Sequence, residues 1–313
     1  MPIFLGHTTA ECILNSPDAP HFERSLEVPA YSGFVDDEVL SSLDLSAFEF
    51  PENAPLDIVV SAREKRRYRK GLRCHVSSGD FPYGAYLQIA SDVFVASPAL
   101  CLLQRAPSLT LAGRIKLAAR FCGTYAPSKK DSRGFITRMP IATLDDLRGF
   151  AELCPRTRGV QQVLEAIDWT LPNAASPMET EMVMPFYLPQ EWGGFGFPKP
   201  TMNYEVKLNA RARAMTGTTK AYIDAYWEDH DFGFEYQSKL KHDFEEKYGE
   251  DIGRQLAVES MGKTIRMVTI EQLGNAAQLE YLAELVASHI GVDFDAECGK
   301  SLRNALVGDI LSD

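Results

Sequence analysis

Apolar positions in the first 55 residues come in short pieces separated by Ser16-Pro17, Ala19-Pro20, Ser32-Gly33 and Pro51, turn and breaker signals that favour short elements. His7 to Leu14 has the pattern of one short helix, with Thr8 or Thr9 as its cap. Leu56-Asp57-Ile58-Val59-Val60 is rich in β-branched residues and reads as a strand. Further strand-like pieces follow at Cys74 to Ser77, Tyr86 to Ala90 and Asp92 to Ala96. From Ser97-Pro98 the apolar period becomes helical. It continues through Leu109 to Cys122, where Leu111, Ile115 and Ala119 share one face and Gly123 is the stop.

Residues Ala126 to Met139 are polar and read as a mobile linker. Two helices are predicted next, over Thr143 to Cys154 and Arg158 to Trp169. Pro172 to Ala175 then interrupt the chain, which places a domain boundary near residue 170. Ser176-Pro177-Met178-Glu179-Thr180-Glu181 has the grammar of a helix start: a serine cap, proline in the first turn and early acids. That helix should bend or end near Pro185. A Gly-rich turn from Gly193 to Pro198 and a strand around Tyr204 to Leu208 come next. Ala221 to Trp227 and Phe232 to Gln237 then read as two apolar, aromatic strands around the polar turn Glu228 to Asp231. Asn275 to Ile290 and Asp295 to Leu311 are amphipathic and suit helices that pack on a core.

The chain has 313 residues, 45% of them hydrophobic, enough for two domains with substantial cores. No apolar run is long enough to cross a membrane, and the N-terminus has neither the basic start nor the long apolar stretch of a signal peptide. The six cysteines (Cys12, Cys74, Cys101, Cys122, Cys154, Cys298) are scattered, as in a reduced compartment, so a cytoplasmic protein is expected. A net charge of -11 argues against a nucleic-acid partner until it is divided along the chain. Residues 1–60 carry -10, residues 61–160 carry +11 and residues 161–313 carry -12. A local basic field of that size suits phosphates, because screening removes distant charge within about 8–10 Å. Its densest part is Arg63, Lys65, Arg66, Arg67, Arg69, Lys70 and Arg73, which could track a DNA backbone or form a solvated hairpin edge.

Two acids stand inside apolar strands. Asp224 sits at the centre of Ala221 to Trp227, and Glu235 lies in the returning strand, with Gln237 on the same face as Glu235. A hairpin between the strands would bring the two acids together. Burying a carboxylate costs several kcal/mol unless it is paired or coordinates a cation.

The spacing D-x10-E-x-Q resembles the PD-(D/E)XK nucleases, with glutamine where lysine is commonest. The surrounding order is similar to the very-short-patch-repair-like endonuclease domains of bacterial proteins. It runs Ser176-Pro177-Met178-Glu179, Gly193 to Pro198, Asp224, Glu235-Tyr236-Gln237-Ser238, His242, Asp251-Ile252-Gly253-Arg254, Gly262 and Thr264 to Ile270. The segment from Val93 to Tyr125 resembles the region preceding that domain, with a likeness to abortive-infection antitoxin regulators.

The resemblance implies an α/β fold: a restriction-endonuclease-like mixed sheet flanked by helices over 171–313, preceded by an α+β domain over 1–170. It implies Mg²⁺ or Mn²⁺ held by Asp224, Glu235 and Glu179, Gln237 positioning water, and His242 in proton transfer or phosphate contact. Arg254 would clamp phosphate or hold Glu235. The activity implied is DNA phosphodiester hydrolysis, in defence or repair. DNA is the expected partner, no membrane is expected, and a homodimer is compatible with the reading. The rivals are a non-catalytic DNA-binding regulator or antitoxin-like protein on the same fold, and a protein-interaction scaffold.

Overall fold

The computed structural model describes residues 2–24, 37–46, 48–51, 54–77, 81–237 and 253–312. The chain is mixed α/β and forms two compact units, Met1–Thr170 and Leu171–Asp313. In the first, strands β1 (Ile3–Leu5), β2 (Glu23–Arg24), β3 (Leu56–Val60), β4 (Leu72–Val76), β5 (Tyr86–Ala90) and β6 (Val93–Ala96) form one sheet in the order β2-β5-β6-β1-β3-β4. β1 pairs in parallel with β6, and β3 with β4; the remaining neighbours are antiparallel.

Helix α1 (His7–Leu14) follows β1, α2 (Asp37–Ser42) precedes β3, and α3 (Pro98–Arg105), α4 (Leu111–Cys122), α5 (Leu144–Glu152) and α6 (Val160–Trp169) follow β6. Their starts are written locally. Ser97 accepts from Leu100 N–H, Thr110 from Gly113 N–H, and Thr143 with Asp146 makes a reciprocal capping box. Phe4 stacks on Phe94 and meets Tyr86 edge-on inside a core of buried Ile, Leu and Val from the sheet and helices.

Several sequence expectations change here. Neither Thr8 nor Thr9 caps α1; Gly6 occupies that position without a side-chain cap, and the Thr9 hydroxyl instead accepts the Asp57 N–H at 2.8 Å. Because β3 and β4 are parallel, the basic segment between them is a crossover and not a hairpin. The expected linker over 126–139 is a small hairpin, β7 (Tyr125–Pro127) and β8 (Phe135–Thr137). The buried Arg138 anchors it by donating to the carbonyls of Leu14, Tyr125 and Arg120, and burial lowers its pKa to about 10. Arg138 thus serves backbone carbonyls, a role that composition alone does not reveal.

In the second unit, β9 (Thr201–Lys207), β10 (Lys220–Trp227), β11 (Phe232–Tyr236) and β12 (Thr264–Val268) form a mixed sheet in the order β12-β11-β10-β9. The β10–β11 and β9–β10 pairs are antiparallel, and β11–β12 is parallel. Helix α7 (Pro177–Tyr187) packs on β10 and β11. It ends at Tyr187, two residues past Pro185, near the proline where an end or bend was expected. Short α8 (Ala210–Thr216) and helical residues 253–259 (α9) flank the sheet, followed by α10 (Ile270–Gly274), α11 (Ala276–Ile290) and α12 (Lys300–Leu311).

Phe186 meets Phe234 edge-on at 5.0 Å and stacks near Phe195, joining helix, strand and turn in one aromatic core. Gly194 makes the approach possible: a Cβ there would lie 2.0 Å from the Leu188 carbonyl oxygen.

Candidate functional site

Helix α7 begins at Ser176, whose hydroxyl accepts the Glu179 N–H at 3.2 Å. The Glu179 carboxylate turns back past the N-cap residue and accepts the Ala175 N–H at 2.7 Å, tying the helix start to the segment before it. The same oxygen, Oε2, accepts from Asn203 Nδ2 at 2.6 Å. Asn203 lies in β9 with a left-handed φ of 48° and also donates to the Asn173 carbonyl at 2.8 Å. A strand residue in that conformation is uncommon outside Asn, Asp and Gly. Asparagine was not expected here; its signal was a turn-former inside the strand Thr201–Lys207.

β10 and β11 pair with Ala225 opposite Phe234. One further step in that register sets Asp224 opposite Glu235, on one face of the sheet. Asp224 Oδ2 accepts the Tyr236 N–H at 2.7 Å, so a side chain takes the place of the next ladder bond. Glu235 is 6% exposed, and Arg254 on α9 donates to its Oε2 at 2.7 Å.

The three acids sense one another. Burial pushes the Asp224 carboxyl well above its ordinary value, and the negative charges of Glu179 and Glu235 push it the same way. The Tyr236 N–H and the Arg254 charge oppose that shift. Glu179 is also raised, chiefly by burial, against the pull of the Ala175, Asn203 and Ser176 hydrogen bonds. Helix and strands thus converge on a carboxylate cluster, an oxygen-only donor set of the kind that suits hard divalent cations. Among the described residues, however, no three His, Cys, Asp or Glu side chains already stand as a metal shell. Holding a cation with all three would need side-chain adjustment, and Arg254 already occupies Glu235.

Gln237 lies just beyond β11, exposed, with its N–H bonded to the Val268 carbonyl at 2.8 Å. It follows Glu235 by two residues, as the motif requires. Ser238, His242, Asp251 and Ile252 lie outside the described residues. In the other unit, Arg63, Arg66, Arg67, Arg69, Lys70 and Arg73 are exposed, while Lys65 is half-buried and donates to Ser61 at 3.0 Å. Tyr68 among them is 93% exposed. Part of the opposing acidity is used internally: Glu11 receives Arg105 and Arg120, and Asp57 receives Arg73.

No family model, no curated protein and no solved structure matches this chain. No helix among the described residues is long and apolar enough to cross a membrane.

Proposed function

We propose that this protein is a Mg²⁺- or Mn²⁺-dependent DNA endonuclease whose second unit is a restriction-endonuclease-like domain of the PD-(D/E)XK type. The observation that carries the reading is the meeting of Asp224, Glu235 and Glu179, with the Asp224 carboxyl pushed up by burial first and then by both neighbours. Like charges gathered in a buried position are destabilising, and a divalent cation would relieve them. Such an ion supplies a more acidic bound water and stabilises charge on the phosphate. Asp224 and Glu235 would bind it directly, and Glu179, fixed through Oε2, would complete the acidic set. Gln237 would hold the water by hydrogen bonding without lysine's charge. Arg254 would pass from Glu235 to the phosphate when DNA arrives. The exposed cations of 63–73 would hold the backbone in a sequence-independent way.

The test is conversion of supercoiled plasmid to open circle with Mg²⁺ or Mn²⁺ and a chelator control. Asp224→Asn and Glu235→Gln should each abolish nicking while preserving the circular-dichroism spectrum. Wild type that nicks duplex, single-stranded and mismatched DNA no faster than Asp224→Asn overturns the enzyme.

Two observations favour a second reading, a nuclease-fold DNA-binding regulator: Arg254 is paired with Glu235, and Gln237 carries no charge. That reading predicts salt-sensitive DNA binding with no metal requirement.

A further inference from the structure

Tyr68 stands in the middle of the basic crossover between β3 and β4 and is 93% exposed, more than any other large hydrophobic side chain among the described residues. Neither its ring nor its hydroxyl has a partner among the described residues, so both ring faces are open. Arg66 and Arg67 precede it and Arg69 and Lys70 follow it, all four exposed. Residues 63–73 hold seven cations against one acid, Glu64. The segment leads into β4, the outermost strand of its sheet.

The backbone on either side of Tyr68 is held. The Arg67 carbonyl accepts from the Cys74 thiol at 3.5 Å, and the Arg69 carbonyl accepts the Leu72 N–H at 3.1 Å. The second bond closes a turn in which Gly71 supplies the positive φ, 85°, at the third position. The Gly71 carbonyl in turn accepts the Leu56 N–H at 2.9 Å, where β3 begins. Further on, Arg73 Nη1 and His75 Nε2 both meet the buried Asp57 Oδ1, at 3.3 and 2.7 Å, and the His75 ring stacks on that of His7. The tyrosine is thus presented on an anchored loop.

A single exposed aromatic is ordinary on a protein surface. This one is pinned between two pairs of exposed cations, and cations alone would suffice to grip phosphates. Along a duplex the flat faces of the bases are covered by their neighbours, and an open ring finds nothing flat to meet. In a single strand those faces are free, and a ring can take one while the adjacent cations follow the backbone.

We propose that the crossover is a binding site for single-stranded DNA, in which Tyr68 stacks on an unpaired base and Arg66, Arg67, Arg69 and Lys70 meet the flanking phosphates. Stacking accepts any base, so the site selects strandedness and not sequence. The inference deepens the DNA reading above and rests only on its binding half; the carboxylate cluster plays no part in it. An anionic bilayer is the poorer fit, because one ring offers little apolar area for insertion.

The experiment measures fluorescence anisotropy of the whole protein with a labelled oligothymidine and with a labelled blunt duplex, in chelator to prevent cleavage and over a range of salt. Tyr68→Ala should weaken single-strand binding about 5–150-fold, leave duplex binding unchanged and leave the salt slope intact, since no phosphate contact is lost. Tyr68→Phe should bind as wild type does. A strand carrying iodouracil should crosslink to Tyr68 on irradiation, read by peptide mass. Equal losses on both DNAs in Tyr68→Ala, or no loss on either, would overturn the site. Crosslinks confined to other residues would overturn it too, as would Tyr68-dependent binding to phosphatidylserine vesicles with unchanged single-strand affinity. If replacing the four cations by Ala weakens duplex binding while Tyr68→Ala changes nothing, this site falls and the phosphate-tracking reading stands.

Discussion

Replacing Asp224 by Asn should stabilise the metal-free protein, although the same change should destroy the proposed activity. Asn keeps the size of Asp and an oxygen for the Tyr236 N–H, and removes the charge that Glu179 and Glu235 oppose. Directly opposed residues on antiparallel strands stand about 5 Å apart, and a like-charge pair at that distance costs about 3 kcal/mol at an effective dielectric of about 20. Losing the charge-assisted part of the Tyr236 bond returns about 1 kcal/mol. The net gain is about 2 kcal/mol, or roughly 6 °C in the melting of a unit this size. The pH dependence has a definite sign. A carboxyl raised in the folded state leaves stability intact below its unfolded pKa of about 3.9, and costs stability as pH climbs towards the folded value. The two proteins should therefore melt alike near pH 4 and diverge as pH rises. Melts in chelator from pH 4 to 8, repeated with Mg²⁺, measure this directly. Mg²⁺ should restore the wild type and leave Asp224→Asn unmoved. A variant less stable than wild type at pH 7.5 in chelator, or an equal Mg²⁺ response in both proteins, refutes the reasoning.

Three further outcomes are expected. Gly194→Ala should cost at least 1–3 kcal/mol in denaturant unfolding, because its Cβ would lie 2.0 Å from the Leu188 carbonyl oxygen and the backbone must move. Alanine at Arg66, Arg67, Arg69 and Lys70 together should weaken duplex binding and flatten its salt dependence, each lost phosphate contact lowering the log–log slope by about 0.9; an unchanged slope would make the crossover a solvated loop. Gln237→Lys should preserve or raise nicking by adding positive charge beside the attacking water, whereas Gln237→Ala should lower it on the order of 10²–10³-fold in the same plasmid assay.

What could be read from sequence was local or periodic. The strands carrying Asp224 and Glu235 announced themselves by aromatic, β-branched runs, and a short polar turn between them fixed their pairing. The start of α7 was equally plain, since Ser176, Pro177 and Glu179 each have a physical reason to sit there. What escaped were contacts made at a distance. Asn203 reaches Glu179 across 24 positions, and Arg138 serves carbonyls as far away as Leu14. The parallel pairing of β3 with β4 depends on the whole sheet order and leaves no mark in the segment joining them. Asp57 is instructive in another way. It is an acid in an apolar strand, the same signal that drew attention to Asp224, yet its partners His7 and His75 lie far off in sequence.

Glu179 divides its labour between atoms. Its Oε2 is committed to architecture, receiving the Ala175 N–H and the Asn203 amide, and so holds together a helix start and the first strand of the sheet. The negative charge with which it raises the Asp224 carboxyl would serve the proposed chemistry instead. Substitution separates the two inheritances: glutamine retains the oxygen that builds the helix start and gives up the charge. Aspartate retains the charge on a chain one methylene too short to reach back. A lineage that abandoned catalysis would therefore still be held to a long side chain with an accepting oxygen at this position, whereas nothing in the fold would hold it to an acid.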